Sequence, residues 1–149
     1  MPGKEIEKMK ILFLCSGNSC RSQMAEAWTR HLKGEQIEAY SAGVNAGGLD
    51  PRAVKAMAEA GVDISGQKSK LVDDLPETDF DYVITLCDQA RETCPFFPAK
   101  FKVLHRTFDD PPALAAGAGD EEEAMRHYRR VRNEIKSFIE DMPNNLKQE

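Results

Sequence analysis

Several things are missing from this sequence, and each absence removes a class of function. No apolar run approaches the roughly 20 residues that cross a bilayer. The charged start, MPGKEIEKMK, leads only into residues 11–14, too short for the apolar region of a secretion signal. Those two absences make a soluble, cytoplasmic protein with no membrane partner the expectation. An excess of positive charge is lacking as well. The chain sets 20 Lys+Arg against 25 Asp+Glu, a formal net charge of −5, whereas binding a phosphate backbone needs a basic face. No nucleic-acid partner is therefore expected. The four cysteines, Cys15, Cys20, Cys87 and Cys94, contain no C-x2-C pair, so their spacing argues against structural zinc. In a reducing cytosol they should rest as thiols, and any disulfide among them is catalytic or transient rather than structural. No repeat, linker or charge block divides the 149 residues, a length that suits one domain with a real core. The expected layout is a flexible tail over residues 1–8, one domain over 9–142 and a C-terminal tail over 143–149.

What is present reads as alternating strands and helices. Residues 10–14 (KILFL) have the length and apolarity of a buried strand. From Ser22 the pattern turns helical, with Met24, Trp28 and Leu32 four apart on one face and Gly34 placed to end the helix. Residues 37–41 make a second strand, closed by an Ala42-Gly43 turn. Asp50-Pro51 opens the next helix with a capping side chain and a proline at the first helical position. That helix is expected to carry Val54, Met57 and Ala58 inward and to stop at Gly61. Residues 81–86 (DYVITL) and 102–106 (KVLHR) supply a third and a fourth strand. Near the C-terminus, Met125, Tyr128, Val131, Ile135, Phe138 and Ile139 form an apolar stripe, read as core packing. Residues 43–48 and 113–119 read as the loosest loops. This order implies an α/β fold: a single three-layer domain with a small parallel sheet of about four strands flanked by helices. Ligands of such sheets bind at the carboxyl ends of the strands. Cys15 and Cys87 each directly follow a strand and should emerge on that edge.

The stretch LCSGNSCRSQ, residues 14–23, carries the chemistry. A loop that leaves a strand and enters a helix turns its backbone N–H groups inward, and the helix N-terminus adds partial positive charge, so a tetrahedral oxyanion is cradled there. Gly17 lets the backbone come close, and Arg21 offers a planar fork that grips two oxygens at once. The same positive surroundings favour a thiolate at Cys15, making it a nucleophile. Ser22 is placed to donate to that thiolate, and Asn18 to hold the loop's shape through side-chain-to-backbone bonds. The oxyanion site is thus read as Cys15, Ser16, Gly17, Asn18, Ser19, Cys20, Arg21 and Ser22. Cys15-x5-Arg21 alone means little, since a buried strand-end cysteine and a surface arginine give the same letters. Its place between an apolar strand and an amphipathic helix is what gives it weight.

CSGNSCRSQMAEAW resembles the nucleophile loop shared by low-molecular-weight protein tyrosine phosphatases and thioredoxin-coupled arsenate reductases, two families with one small α/β fold. The resemblance continues through SAG at 41–43, DP at 50–51, VITLC at 83–87, CP at 94–95 and FDDP at 108–111. It implies a general acid just before the proline, Asp110, with Asp109 as fallback. It also implies a choice of chemistry. Phosphate-ester hydrolysis consumes no electrons and needs neither Cys87 nor Cys94. Reduction of arsenate to arsenite takes two electrons, the yield of one dithiol becoming a disulfide. The reductase reading makes Cys15, Arg21, Cys87, Cys94 and Asp110 the catalytic set, with thioredoxin as reductant and phosphate or sulfate as competing oxyanions. RSQ where those phosphatases usually have RSP, and no tyrosine after Asp110-Pro111, favour it. The alternatives are a phosphatase acting on phosphotyrosine or small esters and a non-catalytic thiol redox sensor.

Cys20 has no assigned part, and His105 reads as structural. Some reductases of this type bind a monovalent cation through residues matching Asn18, Glu26 and Ser41. Here Lys68 and Lys70 stand where further oxygen ligands would be, so no metal and no cofactor is expected. If residues 88–93 are helical when reduced, Cα atoms seven steps apart lie about 10 Å apart, beyond the roughly 7 Å reach of a disulfide. Pairing Cys87 with Cys94 would then require that segment to unwind.

Overall fold

The computed structural model describes residues 8–76, 79–88 and 96–147. Four parallel strands, β1 (Met9–Leu14), β2 (Ile37–Ala42), β3 (Tyr82–Thr85) and β4 (Lys102–His105), form one sheet in the order β2-β1-β3-β4. β1 is central, with Leu12 in register with Tyr40 on one side and Val83 on the other. That place explains its composition. Residues 11–14 are fully buried, as expected for a parallel strand covered on both faces. At roughly 25 cal/mol per Å² of apolar surface, each such side chain contributes about 2 kcal/mol.

Side-chain alternation divides the core between the faces. Ile11, Phe13, Ile37, Ala39, Tyr82 and Ile84 join the larger cluster with the helices α1 (Arg21–Lys33), α2 (Pro51–Glu59) and α4 (Glu121–Glu140). Leu12, Leu14, Ala42 and Val83 pack on the opposite side with Phe80, Val72, Leu75, Phe97 and Ala99. A 3-10 turn at Val72–Asp74 carries part of that second cover.

Helix α1 buries Met24 and Trp28 completely and Leu32 in part, and Gly34 follows its last residue. The stripe of α4 packs as its spacing implies, with Met125, Tyr128, Val131, Ile135 and Ile139 buried. In α2 the Asp50 side chain accepts from the Arg52 N–H at 2.9 Å and Pro51 opens the helix. Its inward face departs from the sequence reading. Ala53, Ala56 and Met57 are buried while Ala58 is exposed. The inward stripe thus follows the i, i+3, i+4 spacing from Ala53, and Ala58 lies a further 100° around the helix.

Residues within the stretch read as a loop at 113–119 are helical instead. Helix α3 (Pro111–Ala116) opens with prolines at its first positions, where no N–H partner is needed, and continues in residues of high helix propensity. At the C-terminus, inside the segment read as a tail, Asn144–Leu146 forms a 3-10 turn and Leu146 is fully buried against the α4 side of the core. No helix among the described residues is long and apolar enough to cross a membrane.

Candidate active site

The strand order reverses at β1, whose helical crossover leads to β2 on one side while β3 lies on the other. A crevice opens at the carboxyl ends of the strands on either side of such a reversal. Leu14 is in register with Thr85, and the Leu86 N–H donates to the Leu14 carbonyl at 2.8 Å. Cys15 and Cys87 therefore leave the sheet at nearly the same level.

The loop after β1 is tied down from below and from both sides. Its carbonyls accept from the next crossover: Ser16 from the Asn45 N–H, Gly17 from the Gly47 N–H and Ser19 from the Asp50 N–H, each at 3.0 Å. Ser69 Oγ donates to the Gly17 carbonyl at 3.1 Å. Gly43 makes this approach feasible. A Cβ there would stand 2.6 Å from the Ser16 oxygen and 2.9 Å from the Asn18 nitrogen, closer than real Cβ atoms come.

Asn18 is the hub. Its backbone is left-handed, with φ 48°, a conformation asparagine tolerates better than most residues. Its Oδ1 accepts from the Lys70 N–H at 2.7 Å and from Gln23 Nε2 at 3.0 Å, and its Nδ2 donates to Ser22 Oγ at 2.8 Å. Because Ser22 Oγ already accepts from Asn18, its own hydrogen is left for Cys15 Sγ, 2.8 Å away. Cys15 is a free, buried thiol. Cys20 stands at the N-cap of α1 and makes no side-chain capping bond, and a helix N-terminus left so favours a nearby anion.

Arg21 is buried, and the groups that orient its guanidinium include two carbonyls and a carboxylate. Nη1 donates to the Phe108 carbonyl at 3.2 Å and to the Leu86 carbonyl at 3.4 Å, and Nη2 lies 3.6 Å from Asp110 Oδ1. Together these residues enclose a cavity of about 150 Å³ lined by Cys15, Gly17, Cys20, Arg21, Asp110 and Pro112 among others. That is room for a tetrahedral oxyanion. Asp110 lines it, whereas Asp109 turns outward to Arg130 at 3.0 Å. Burial above all, with the charges of Asp50, Cys15 and Asp110, pushes the Cys20 thiol well above its ordinary pKa, against a smaller pull from Arg21. Cys20 thus stays protonated beside Cys15.

Cys87 is buried and disulfide-bonded, while Cys15 and Cys20 are free. Cys94 and all but Asp88 of the 88–93 segment expected to unwind lie outside the described residues. His105 caps the end of β4 with its Nδ1 against Thr85 Oγ1 and does not line the cavity. Behind the loop, the buried Glu26 carboxylate accepts from Ser41 Oγ, pairs with Arg30 at 2.6 Å and has Lys70 Nζ at 3.7 Å. Lys70 Nζ also donates to the Lys68 carbonyl at 2.7 Å.

Sequence reasoning missed the supports of this site. The Lys70 amide and Ser69 reach the loop from far along the chain, Gln23 ties it to the Lys68 carbonyl, and the carbonyls that aim Arg21 belong to residues 86 and 108. The only signal was Gly43 itself, within the SAG triplet, which marks a turn without saying what presses on it.

Residues 10–149 match the family model described as low molecular weight phosphotyrosine protein phosphatase. The chain is 50% identical over 130 residues to an arsenate reductase of Bacillus licheniformis, covering 87% of this chain and 91% of the relative. It is 46% identical over 136 residues to an arsenate reductase of Bacillus subtilis, covering 91% and 96%. Among solved structures, an arsenate reductase in the phosphate-binding state superposes with a TM-score of 0.72 at 29% identity, covering 90% of this chain and 95% of that one. A thioredoxin-dependent arsenate reductase of Corynebacterium glutamicum gives 0.57 at 28% identity, covering 95% of this chain and 64% of that one.

Proposed function

The chain belongs to the low-molecular-weight phosphotyrosine protein phosphatase family, and from that premise we propose that it is an arsenate reductase working by a three-cysteine relay. The observation that carries the reading is the pair of thiol positions at adjacent strand ends. Ester hydrolysis has no use for Cys87 beside Cys15, whereas converting As(V) to As(III) requires two electrons, which two thiols supply on becoming a disulfide.

In the relay, arsenate sits among the N–H groups of residues 16–22 with two oxygens on Arg21. The Cys15 thiolate, favoured by the Ser22 hydroxyl, attacks arsenic, and Asp110 protonates the departing oxygen as water leaves. Cys87 then attacks the sulfur of Cys15. The S–As electron pair stays on arsenic, arsenite departs, and a Cys15–Cys87 disulfide remains. Cys94 attacks Cys87, releasing Cys15 as thiolate and leaving a Cys87–Cys94 disulfide. A free Cys15 together with a bonded Cys87 is compatible with this last state, since a Cys15–Cys87 bond would have consumed both. A thioredoxin, acting in the reducing cytoplasm, returns the dithiol by exchange.

Phosphatase activity on small esters is the second reading, favoured by the same oxyanion loop and by the family's own description. The deciding experiment supplies reduced protein with thioredoxin, thioredoxin reductase, NADPH and arsenate. Arsenate-dependent NADPH oxidation is expected. Its absence, with hydrolysis of an aryl phosphate retained, would replace the reductase by the phosphatase.

A further inference from the structure

The cavity that holds the chemistry is small, and a second one behind it is not. About 730 Å³ opens between α1, the Tyr40 region of β2 and residues 61–70, within the size range of small-molecule sites. Its wall is amphipathic. Tyr40, Val62 and Pro76 give it apolar surface, while Arg30, Lys68 and Lys70 bring positive charge, with His31 beside them.

Two carboxylates also face it, and both are already engaged. Glu26 is held by Ser41, Arg30 and Lys70. Asp63 is folded back onto its own turn, accepting from Ser65 N at 2.9 Å and Ser65 Oγ at 2.7 Å. The Lys68 ammonium has no ion-pair partner among the described residues and is exposed to solvent. A ligand entering this space therefore meets cations together with the apolar surface of Tyr40, Val62 and Pro76.

The same wall is wired to the nucleophile. The Lys70 N–H donates to Asn18 Oδ1 at 2.7 Å, Asn18 Nδ2 to Ser22 Oγ at 2.8 Å, and Ser22 Oγ lies 2.8 Å from Cys15 Sγ. A parallel route runs from Gln67 Nε2 to Gln23 Oε1 at 2.7 Å, and Gln23 Nε2 donates to both the Lys68 carbonyl and Asn18. Residues 67–70 thus contribute to the cavity and to the loop with the same short segment.

We propose that this rear cavity binds a small organic anion with a flat apolar body, and that its occupancy weakens the Cys15 nucleophile through Asn18 and Ser22. The anionic group competes with Glu26 for Lys70 and Arg30. Drawing Lys70 outward lengthens the hydrogen bond from its backbone N–H to Asn18 Oδ1, and Ser22 then loses the partner that aims its hydroxyl at the sulfur.

The test needs no arsenate, so its outcome is independent of the reductase reading. Naphthalene-2-sulfonate is titrated into the ¹⁵N-labelled reduced protein with inorganic phosphate present to occupy the catalytic loop. Saturable shifts at residues 61–70 and at Arg30 are expected, with Lys68→Glu and, separately, Arg30→Gln weakening binding about tenfold each, the worth of one charge-assisted contact. Without phosphate, saturating probe should slow iodoacetamide alkylation of Cys15 about tenfold, the worth of one lost hydrogen bond to the thiolate, and the probe concentration needed for that protection should rise about tenfold in Lys68→Glu, as it would not if the probe simply entered the catalytic loop. Absence of shifts at 61–70, shifts confined to residues 15–22, or equal affinity in Lys68→Glu would overturn the site. Saturable binding that leaves Cys15 alkylation unchanged would overturn the coupling.

Discussion

Residues 15–22 and residues 106–112 line the same cavity, but they are anchored in very different ways. The first segment is largely buried, and its carbonyls accept from residues 45, 47, 50 and 69 while its asparagine hub collects three more bonds. The second is anchored by the buried Phe108, whose N–H donates to the Leu86 carbonyl at 3.1 Å, and also at its rim. Asp109 pairs with Arg130 where the two side chains keep 62% and 43% of their exposure, and Arg106 lies over the Phe108 ring at 4.5 Å from its centroid. Exposed ion pairs of that kind are worth at most about 1 kcal/mol. The cradle around Cys15 has the preorganisation that an anion of fixed shape would need. Asp110 itself keeps 33% of its side-chain exposure and faces Arg21 at 3.6 Å.

The contrast breaks most completely at the nucleophile. Cys15→Ser should abolish both arsenate reduction and aryl phosphate hydrolysis, because an alkoxide is not accessible at neutral pH as a thiolate is. Steady-state assays of the two activities check this, and retained reductase activity would remove Cys15 from the chemistry. On the acid side, Asp110→Asn should lower the rate about a hundredfold, the usual worth of a general acid. Asp109→Asn should change it by less than about twofold, since only an exposed pair is lost. Equal losses would mean that the loop as a unit, rather than one carboxyl, carries the step.

Gly43→Ala sharpens the same comparison from the rigid side. Its Cβ would press on the carbonyls of Cys15 and Ser16, an overpacking cost of about 1–3 kcal/mol that should appear as a lower urea midpoint and an activity loss of about tenfold. The smallest effect concerns Cys20. Its raised pKa means that the folded protein holds the proton to higher pH than a free thiol does. In a Cys15→Ser background, alkylation of Cys20 should therefore accelerate only above the ordinary value of 9.0. Acceleration at or below that pH would mean that burial does not protect it.

Much of this was legible beforehand, and the rest was not for definable reasons. The four strands announce themselves as short apolar runs, and the nucleophile loop is contiguous, so its residues are read together. Helix α3 was hidden because alanines between prolines and glycines carry no apolar period, although the Pro-Pro start is a helix signal in hindsight. Ala58 was misplaced because alanine's small side chain says little about which way it faces. The supports of the loop were invisible for a different reason. Gln23 with Lys68, Lys70 with Asn18 and Gly43 with Ser16 are contacts across long stretches of chain, made by the parallel topology and not by local pattern.

The central claim is that electrons leave through Cys87 and Cys94 after Cys15 has done the first step. Cys94→Ala separates that claim from every other property of the site. Mixed reduced with arsenate, this variant should release one arsenite per chain, trap a Cys15–Cys87 disulfide visible by peptide mass spectrometry, and then stop even with thioredoxin present. Hydrolysis of an aryl phosphate by the reduced variant should stay within about twofold of the parent, since no protonation or oxyanion contact is altered. Sustained arsenate-dependent NADPH oxidation by Cys94→Ala, or a parallel fall in its phosphatase activity, would contradict the relay.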